Sequence, residues 1–208
     1  TFDGATAGRD IVFDRSDNQL EFADNAKAVF GTSGNLEIFS TGSASEIHEN
    51  ASGNLKIKGT NLRLADSSDN LYMFMTSGAG IEMYHNAVKK FETESGGVSL
   101  TGGAAANITA LSDGATITID MATACHHSVT LGGNRTFAAP NNQVVGQAGS
   151  IFITQDGTGS RTAAFNSAFK FVGGTAPTLT TTAAAVDRID YIILSSNVIH
   201  CAVSLDVK

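Results

Sequence analysis

The stretch NLKIKGTNLRLADSSDNLYMFM, residues 54–75, carries the pattern that decides the fold. It places Asn-Leu before a polar and then an apolar residue three times, at Asn54, Asn61 and Asn70, and the same pattern occurs at Asn35. Apolar residues at every second position predict a β-strand with one buried face, because successive side chains of a strand point to opposite sides. The intervening Ser, Asp, Asn and Gly residues favour turns. The stretch therefore predicts short strands joined by tight turns.

The same features extend through the first hundred residues. Further predicted strands include Asp10–Asp14 and Leu55–Ile57, and residues 25–34 resemble residues 86–96. No segment shows the 3.6-residue period of a helix. Short repeated strands cannot each bury a face alone and must stack on neighbours. A small sandwich or solenoid within one chain satisfies this need, and so do three chains that wrap around a shared, prism-like core. We expect the second arrangement.

The composition changes near Gly102–Ala106, where we place a domain boundary. The predicted strands that follow are longer and more apolar, such as Arg188–Leu194, and Ser195–Asn197 is predicted to turn a hairpin between two of them. The expected fold class is all-β: an elongated trimeric fibre with a repetitive β shaft over residues 1–102. A C-terminal β-sandwich head of seven or eight strands is expected over residues 103–208.

Composition and charge restrict the function classes. Charged residues make up 16% of the chain, below the roughly 25% of an ordinary soluble domain. A net charge of -7 and only 13 scattered Lys and Arg residues make nucleic acid an unexpected partner. No apolar run is long enough to predict a membrane-spanning helix. Two cysteines, Cys125 and Cys201, predict free thiols of a protein assembled in a reducing cytoplasm, with a single disulfide as the alternative.

Several segments give the chain a family resemblance. In the first half they are Gly53-Asn54-Leu55, NAVKKFET at 86–93 and GVSLTG at 97–102, and in the second half GSIFITQDGTGSR at 149–161. With these segments the chain resembles the repetitive shafts and C-terminal modules of tail fibre proteins from cyanophages and other marine or freshwater bacteriophages. The resemblance extends over nearly the whole sequence. It is specific to a style of phage structural protein rather than to one receptor.

This resemblance implies a homotrimer that serves in host adsorption. It implies attachment to other phage tail or baseplate proteins through a region N-terminal to residue 1, and location in the virion after assembly in the host cytoplasm. The expected external partner is a glycan or an outer-membrane component of the host cell surface. The implied function is non-enzymatic receptor binding.

The segment Cys125-His126-His127 is the most conspicuous candidate for a metal site. A metal ion needs three or four converging ligands. Neighbouring residues of a strand face opposite sides, so at most Cys125 and His127 share a face. One histidine from each of three chains could still meet on a threefold axis, but we expect a strand edge or turn with no metal. No cofactor is expected.

Polysaccharide cleavage is the enzymatic alternative. It needs two carboxyl groups about 5–10 Å apart in a groove. The close acid pairs are Glu46 with Glu49 and Asp187 with Asp190, and both stand in polar, turn-like or strand-edge settings. No nucleophile, zinc-binding, phosphate-binding or dinucleotide-binding motif is present. We therefore expect no active site.

Receptor contacts are expected in polar loops of the head. The chain has no Trp and only three Tyr, so aromatic platforms for sugars are few. Polar, turn-rich segments in the second half are the candidate loops: Thr123–His127, Asn134–Asn142 and Gln155–Arg161. The candidate receptor-contact residues are Asn134, Arg135, Asn141, Asn142, Asp156, Thr158 and Arg161. Each such contact is weak, so three copies acting together would matter.

Three other functions fit parts of the sequence. The chain could be a fibre shaft or virion decoration without receptor contact, a depolymerising tailspike domain, or a bacterial surface adhesin. Loss of host adsorption on deletion of the second half would distinguish the fibre from a spacer. Release of reducing sugar would identify a depolymerase.

Overall fold

The structure is a computed structural model that describes residues 1–208. It contains nineteen β-strands, one short 3-10 turn and no α-helix, which confirms the prediction of an all-β chain. The chain divides into an N-terminal unit, Thr1–Thr101, and a C-terminal unit, Gly102–Lys208. None of its segments forms a helix of the length and hydropathy that crossing a membrane requires.

The N-terminal unit contains ten strands in three antiparallel sheets. The first sheet is a hairpin, the second a three-stranded meander and the third a five-stranded meander, each with sequential neighbours paired. The strands are β1 (Ile11–Asp14), β2 (Gln19–Phe22), β3 (Lys27–Phe30), β4 (Leu36–Ser40), β5 (Ser45–Glu49), β6 (Asn61–Ala65), β7 (Leu71–Thr76), β8 (Ile81–His85), β9 (Val88–Glu94) and β10 (Gly97–Leu100).

Tight turns set the register within these sheets. Asn18, Asp69 and Asn86, each between two paired strands, adopt positive φ, the left-handed conformation that Asn and Asp tolerate better than most residues. The strand predicted at Leu55–Ile57 is wrong, since this segment is irregular, and β5 was not expected. Residues 55–57 lie between β5 and β6, which are edge strands of two different sheets, and the segment pairs with neither of them.

The first six strands of the C-terminal unit alternate between two sheets. They are β11 (Ile108–Ala110), β12 (Thr116–Ile117), β13 (His126–Leu131), β14 (Arg135–Phe137), β15 (Ala148–Gln155) and β16 (Ala163–Phe165). Odd-numbered strands pair in parallel in one sheet, and even-numbered strands pair in parallel in the other. The backbone thus makes three successive coils of a short β-solenoid, each coil adding one strand to each sheet.

The last strands extend the larger sheet. They are β17 (Phe169–Phe171), β18 (Val186–Ser195) and β19 (Val198–Ser204). β18 pairs antiparallel with β15 and turns back into β19, which confirms the hairpin predicted at Ser195–Asn197. β17 then pairs in parallel with β19 and forms the sheet edge.

Both sheets of the C-terminal unit contribute to one closed core. Fully buried Phe137 and partly buried Phe165, on adjacent coils, stack with ring centroids 5.1 Å apart. The buried members of the core are Ile117, Ile119, Met121, Val129, Leu131, Phe137, Ile151, Ile153, Ala168, Phe169, Leu179, Ile189, Tyr191, Ile193, Ile199 and Cys201. A core between two sheets was expected of a β-sandwich. The parallel, coiled path differs from the antiparallel path of an ordinary sandwich, because each turn carries the chain across the core to the other sheet rather than back to a sequential neighbour.

Candidate functional site

The seven predicted receptor-contact residues lie in two groups of turns on the C-terminal unit. Five of them lie in or directly beside the turns from β13 to β14 and from β15 to β16, which join the two sheets; of these, Arg135 is the first residue of β14. Asn141 and Asn142 belong to the segment after β14. Since successive coils stack, each group brings together residues that are distant in sequence.

Arg135 in the first group is held by an acid from the preceding coil. Its guanidinium donates from Nε to Oδ1 of Asp113 at 2.6 Å and from an Nη atom to Oδ2, and the backbone N–H of Gly132 donates to Oδ2 at 3.2 Å. The guanidinium beside Asp113 keeps the pKa of this carboxyl below its usual value. This two-point ion pair fixes the turn. It occupies Nε and one Nη atom of Arg135, so fewer of its donors are available to a receptor.

The loop after β15 forms a second ion pair. Arg161 donates to Oδ2 of Asp156 at 2.7 and 3.0 Å, and this contact lowers the pKa of Asp156. The other oxygen, Oδ1, accepts the backbone N–H groups of Thr158 and Gly159. Buried Gln155 closes the loop by bonding both backbone groups of Arg161. These hydrogen bonds constrain the loop from both sides, and the hydroxyl of exposed Thr158 has no hydrogen-bond partner.

The remaining candidates also hold turns. Asn134 uses its Oδ1 to accept the backbone N–H of Thr162 at 3.0 Å. Asn142 donates to Oδ1 of Asp120 at 2.8 Å and adopts positive φ, while Asn141 pairs through its backbone with the Asp120 segment. The seven residues thus lie in two hydrogen-bonded turn clusters, in which Arg135, Asp156 and Arg161 are only partly exposed, and most of their polar atoms are engaged within the protein.

The Cys125-His126-His127 segment does not gather metal ligands. His127 is fully buried in the core row between Thr109 and Ile151, and neither of its ring nitrogens has a hydrogen-bond partner. Burial lowers the pKa of His127. Cys125 carries a free thiol, as does buried Cys201. The nearest approach to a ligand set lies elsewhere, at Asp14, Asp17 and Glu21 on the first hairpin, whose carboxylate oxygens are within 4.8 Å of one another.

Neither candidate acid pair has the geometry of a glycosidase. Glu46 and Glu49 lie three positions apart on β5, and Asp187 and Asp190 lie three apart on β18. Residues at this spacing on a strand face opposite sides of the sheet. Asp187 is buried and accepts the backbone N–H groups of Thr180 and Asp206. The paired carboxyl groups needed for cleavage are therefore not brought into one groove by these residues.

A shallow groove of about 480 Å³ lies on the C-terminal unit beside the end of β17. It is lined mostly by apolar atoms, with Lys170 and His200 at its rim and Val172 and Ile192 exposed. None of the seven predicted contact residues lines it. It offers apolar surface but few converging hydrogen-bonding groups.

The five-stranded sheet of the N-terminal unit has one continuous apolar face. Its register aligns Leu64, Met73, Met83, Phe91 and Leu100 across all five strands. A second row on the same side contains Leu62, Met75, Ile81 and Val98. The opposite side carries mostly polar residues: Arg63, Phe74, Glu82, Glu92 and Ser99. We call the first side the apolar face of this sheet.

The two smaller sheets repeat this division. In the hairpin, Ile11 pairs with Phe22 and Phe13 with Leu20 on one side. In the three-stranded sheet, Ala28, Ile38 and Ile47 align on one side, next to the pair Phe30 and Leu36. Each sheet of the N-terminal unit therefore has an apolar face. The opposite face of the hairpin is mostly polar, whereas that of the three-stranded sheet combines Val29 and Phe39 with charged residues.

The apolar faces of the N-terminal unit remain uncovered in the single chain. Of the buried apolar residues, only Ala26 belongs to this unit, whereas 17 of the 25 exposed large apolar side chains do. Half-exposed examples are Phe13, Phe30, Leu64 and Leu100. Soluble monomers seldom expose such contiguous apolar surface, so these faces are candidates for contact with another chain.

Comparisons with protein-family models, curated proteins and solved structures found no match to this chain.

Proposed function

We propose that this chain is part of a tail fibre of a tailed bacteriophage of the cyanophage type, a homotrimer that attaches the virion to the host surface without catalysis. The single observation that carries the proposal is the contrast between the two units. The C-terminal unit closes its own core, whereas the N-terminal unit leaves the apolar faces of three sheets exposed. The phage resemblance of the sequence supplies the function and the number three.

Energetics favour covering these faces. Five side chains on the apolar face of the five-stranded sheet are 38–63% exposed: Leu64, Ile81, Met83, Val98 and Leu100. Burying such a side chain completely contributes about 1.5–3 kcal/mol, so covering the exposed half contributes roughly 1 kcal/mol each, or roughly 5 kcal/mol per chain. The smaller sheets add to this total. Identical copies are suitable partners because each one brings an apolar face that can cover the others. The polar face of each copy would then stay in contact with water.

The C-terminal unit suits display. Its turns are fixed by the ion pairs of Arg135 with Asp113 and of Arg161 with Asp156, so exposed groups keep their positions without a partner. Such preorganisation lowers the entropy lost on binding. Three copies on one fibre would engage a surface together, and this multivalency strengthens contacts that are weak singly.

The oligomer is tested by light scattering on the purified chain. The expected mass is three times 21.5 kDa. Met83→Glu, on the apolar face, should dissociate the trimer because it buries a charge in the shared core. Arg63→Glu is the matched control, since it changes the charge on the opposite face of the same sheet and should leave the mass unchanged. A stable, folded monomer of the unaltered chain would refute the proposal.

Attachment is tested with fluorescently labelled trimer on a panel of cyanobacteria and other marine bacteria. Saturable binding to some strains, with loss on dissociation by Met83→Glu, is the expected result. Binding to none of the strains by an intact trimer would favour a structural shaft or decoration. Release of reducing sugar from bacterial polysaccharide would favour a depolymerase, and the acid pairs described above give that outcome no geometric support.

A further inference from the structure

A second groove, of about 380 Å³, lies on the polar side of the five-stranded sheet at one end of its strands. Its walls are the β6–β7 turn and the β8–β9 turn, and it contains two of the three tyrosines of the chain. The lining residues are Asp66, Asn70, Leu71, Tyr72, Tyr84, His85, Asn86 and Ala87. We call this the tyrosine groove, and we propose that it binds a neutral saccharide.

The two aromatic rings form the sugar platform. The register that pairs Met73 with Met83 sets Tyr72 beside Tyr84 on neighbouring strands, on the side opposite the apolar face. Tyr84 donates its hydroxyl to Oε2 of Glu82 at 2.6 Å, which fixes its ring. Tyr72 is 59% exposed, and its hydroxyl has no protein partner. An exposed tyrosine ring offers a flat apolar surface with a polar end, which suits the C–H face and the hydroxyls of a pyranose.

Both walls of the groove are preorganised. The carboxylate of Asp66 accepts the backbone N–H groups of Ser68 and Asn70 and the side-chain amide of Asn70. In the other wall, Asn86 and Ala87 both have positive φ, the geometry of a tight two-residue hairpin turn. Rigid walls reduce the conformational entropy that a ligand must overcome to bind.

The available polar atoms match sugar hydroxyls, which both donate and accept. The carboxamide of Asn86 makes no hydrogen bond within the protein and is exposed. The Oδ1 atom of Asn70 remains an acceptor, since the contact with Asp66 uses its Nδ2. No Lys or Arg lines the groove and Asp66 does, so the local charge favours a neutral ligand over an anionic one.

The size of the groove agrees with this ligand. Small-molecule sites occupy about 300–1,000 Å³, and a groove near the lower limit accommodates on the order of one or two sugar rings. If the apolar faces of three chains meet in a fibre, strand alternation places the tyrosine groove of each chain on the outside. The biological role of the groove therefore rests on the proposed function, although saccharide binding itself does not.

The test is saturation-transfer difference NMR on the full chain with maltotriose, chitotriose, mannotriose and galactobiose as neutral probes. Trigalacturonate is the anionic probe. We expect at least one neutral probe to bind with a millimolar Kd. Tyr72→Ala should weaken binding by about tenfold, because the main ring is lost, and Tyr72→Phe should retain it within about twofold. Arg63→Ala, on the same face of the sheet outside the groove, is the matched control and should bind as the unaltered chain does.

Absence of binding by all neutral probes overturns the proposal, as does unchanged binding by Tyr72→Ala or tighter binding of trigalacturonate. The mass of each variant is measured in parallel. Tyr72 lies on the side away from the apolar face, so Tyr72→Ala should leave the oligomer intact. An intact trimer that binds no neutral sugar refutes saccharide binding in the tyrosine groove but leaves the trimeric fibre standing. A monomer that binds the sugar refutes the trimeric fibre but leaves saccharide binding standing.

Discussion

Replacing His127 by leucine should stabilise the C-terminal unit and reduce its sensitivity to acid. His127 is fully buried, and both ring nitrogens lack hydrogen-bond partners. A buried polar group without a partner costs about 1–3 kcal/mol, and an imperfectly fitting apolar replacement costs up to about 1.5 kcal/mol. We therefore expect His127→Leu to gain about 1 kcal/mol at pH 7. For a unit of this size, that gain raises the Tm by about 4 °C.

The pH dependence follows from the lowered pKa of the buried ring. Desolvation is the main cause of the lowering, and the charge of His126 acts in the same direction. The backbone of Ala124, which is close to the ring without reaching hydrogen-bond geometry, and the charge of Asp120 oppose it. The unfolded chain, in which the value is near 6.5, takes up the proton first as the pH falls. Protonation of His127 therefore takes nothing from the free energy of unfolding above pH 6.5. That free energy decreases as the pH falls below 6.5 toward and through the pKa of His127 in the folded chain. One proton gives a slope no steeper than about 1.4 kcal/mol per pH unit.

Differential scanning calorimetry between pH 7.5 and 5 measures both effects. The advantage of His127→Leu over the unaltered chain should grow as the pH decreases through 6.5. Carboxylates also titrate toward the acid end, but they are common to both chains and cancel in the difference. A constant difference in Tm across this range, or a variant less stable than the unaltered chain at every pH, would refute the account of His127 as an unsatisfied neutral base.

Three further substitutions test the C-terminal core, each by chemical denaturation of the full chain. Phe137→Ala should destabilise the unit by about 3–5 kcal/mol, because it removes the ring that stacks on Phe165 from a site with no exposure. Gly149→Ala should cost at least about 3 kcal/mol, because the added methyl would lie 1.6 Å from the carbonyl oxygen of Cys125. Asp187→Ala should cost about 2–4 kcal/mol, since two backbone N–H groups lose their acceptor.

The sequence predicted the strands better than their connections. Alternation and turn residues are local signals, so the all-β character and the hairpin of β18 and β19 could be inferred from them. Parallel pairing of alternate strands leaves no comparable local signal. The contacts that reveal the coils join Arg135 to Asp113 and Asn142 to Asp120, and each pair is separated by 22 positions. A search for compatible polar pairs at that spacing could have found them.

The candidate site was less predictable than the fold. The sequence pattern points to polar turn residues of the second half, but most of their polar atoms bind other turns. Three tyrosines scattered along the sequence give no sign that two of them, Tyr72 and Tyr84, lie together. Their proximity depends on the register between β7 and β8, which places them side by side on one face. The two rings are twelve positions apart in the sequence, and only the pairing of the strands shows that they are neighbours.

A single structural rule connects the two proposals for the N-terminal unit. In a strand the side-chain period is two, so Met83 and Tyr84 necessarily point to opposite sides of the five-stranded sheet. The side with Met83 is apolar and needs another chain, whereas the side with Tyr84 is polar and carries the groove. Burying the first side in a shared core would expose the second to water on every chain. Assembly would thus present the groove in several copies, and a change of one residue in the register would disrupt both faces together.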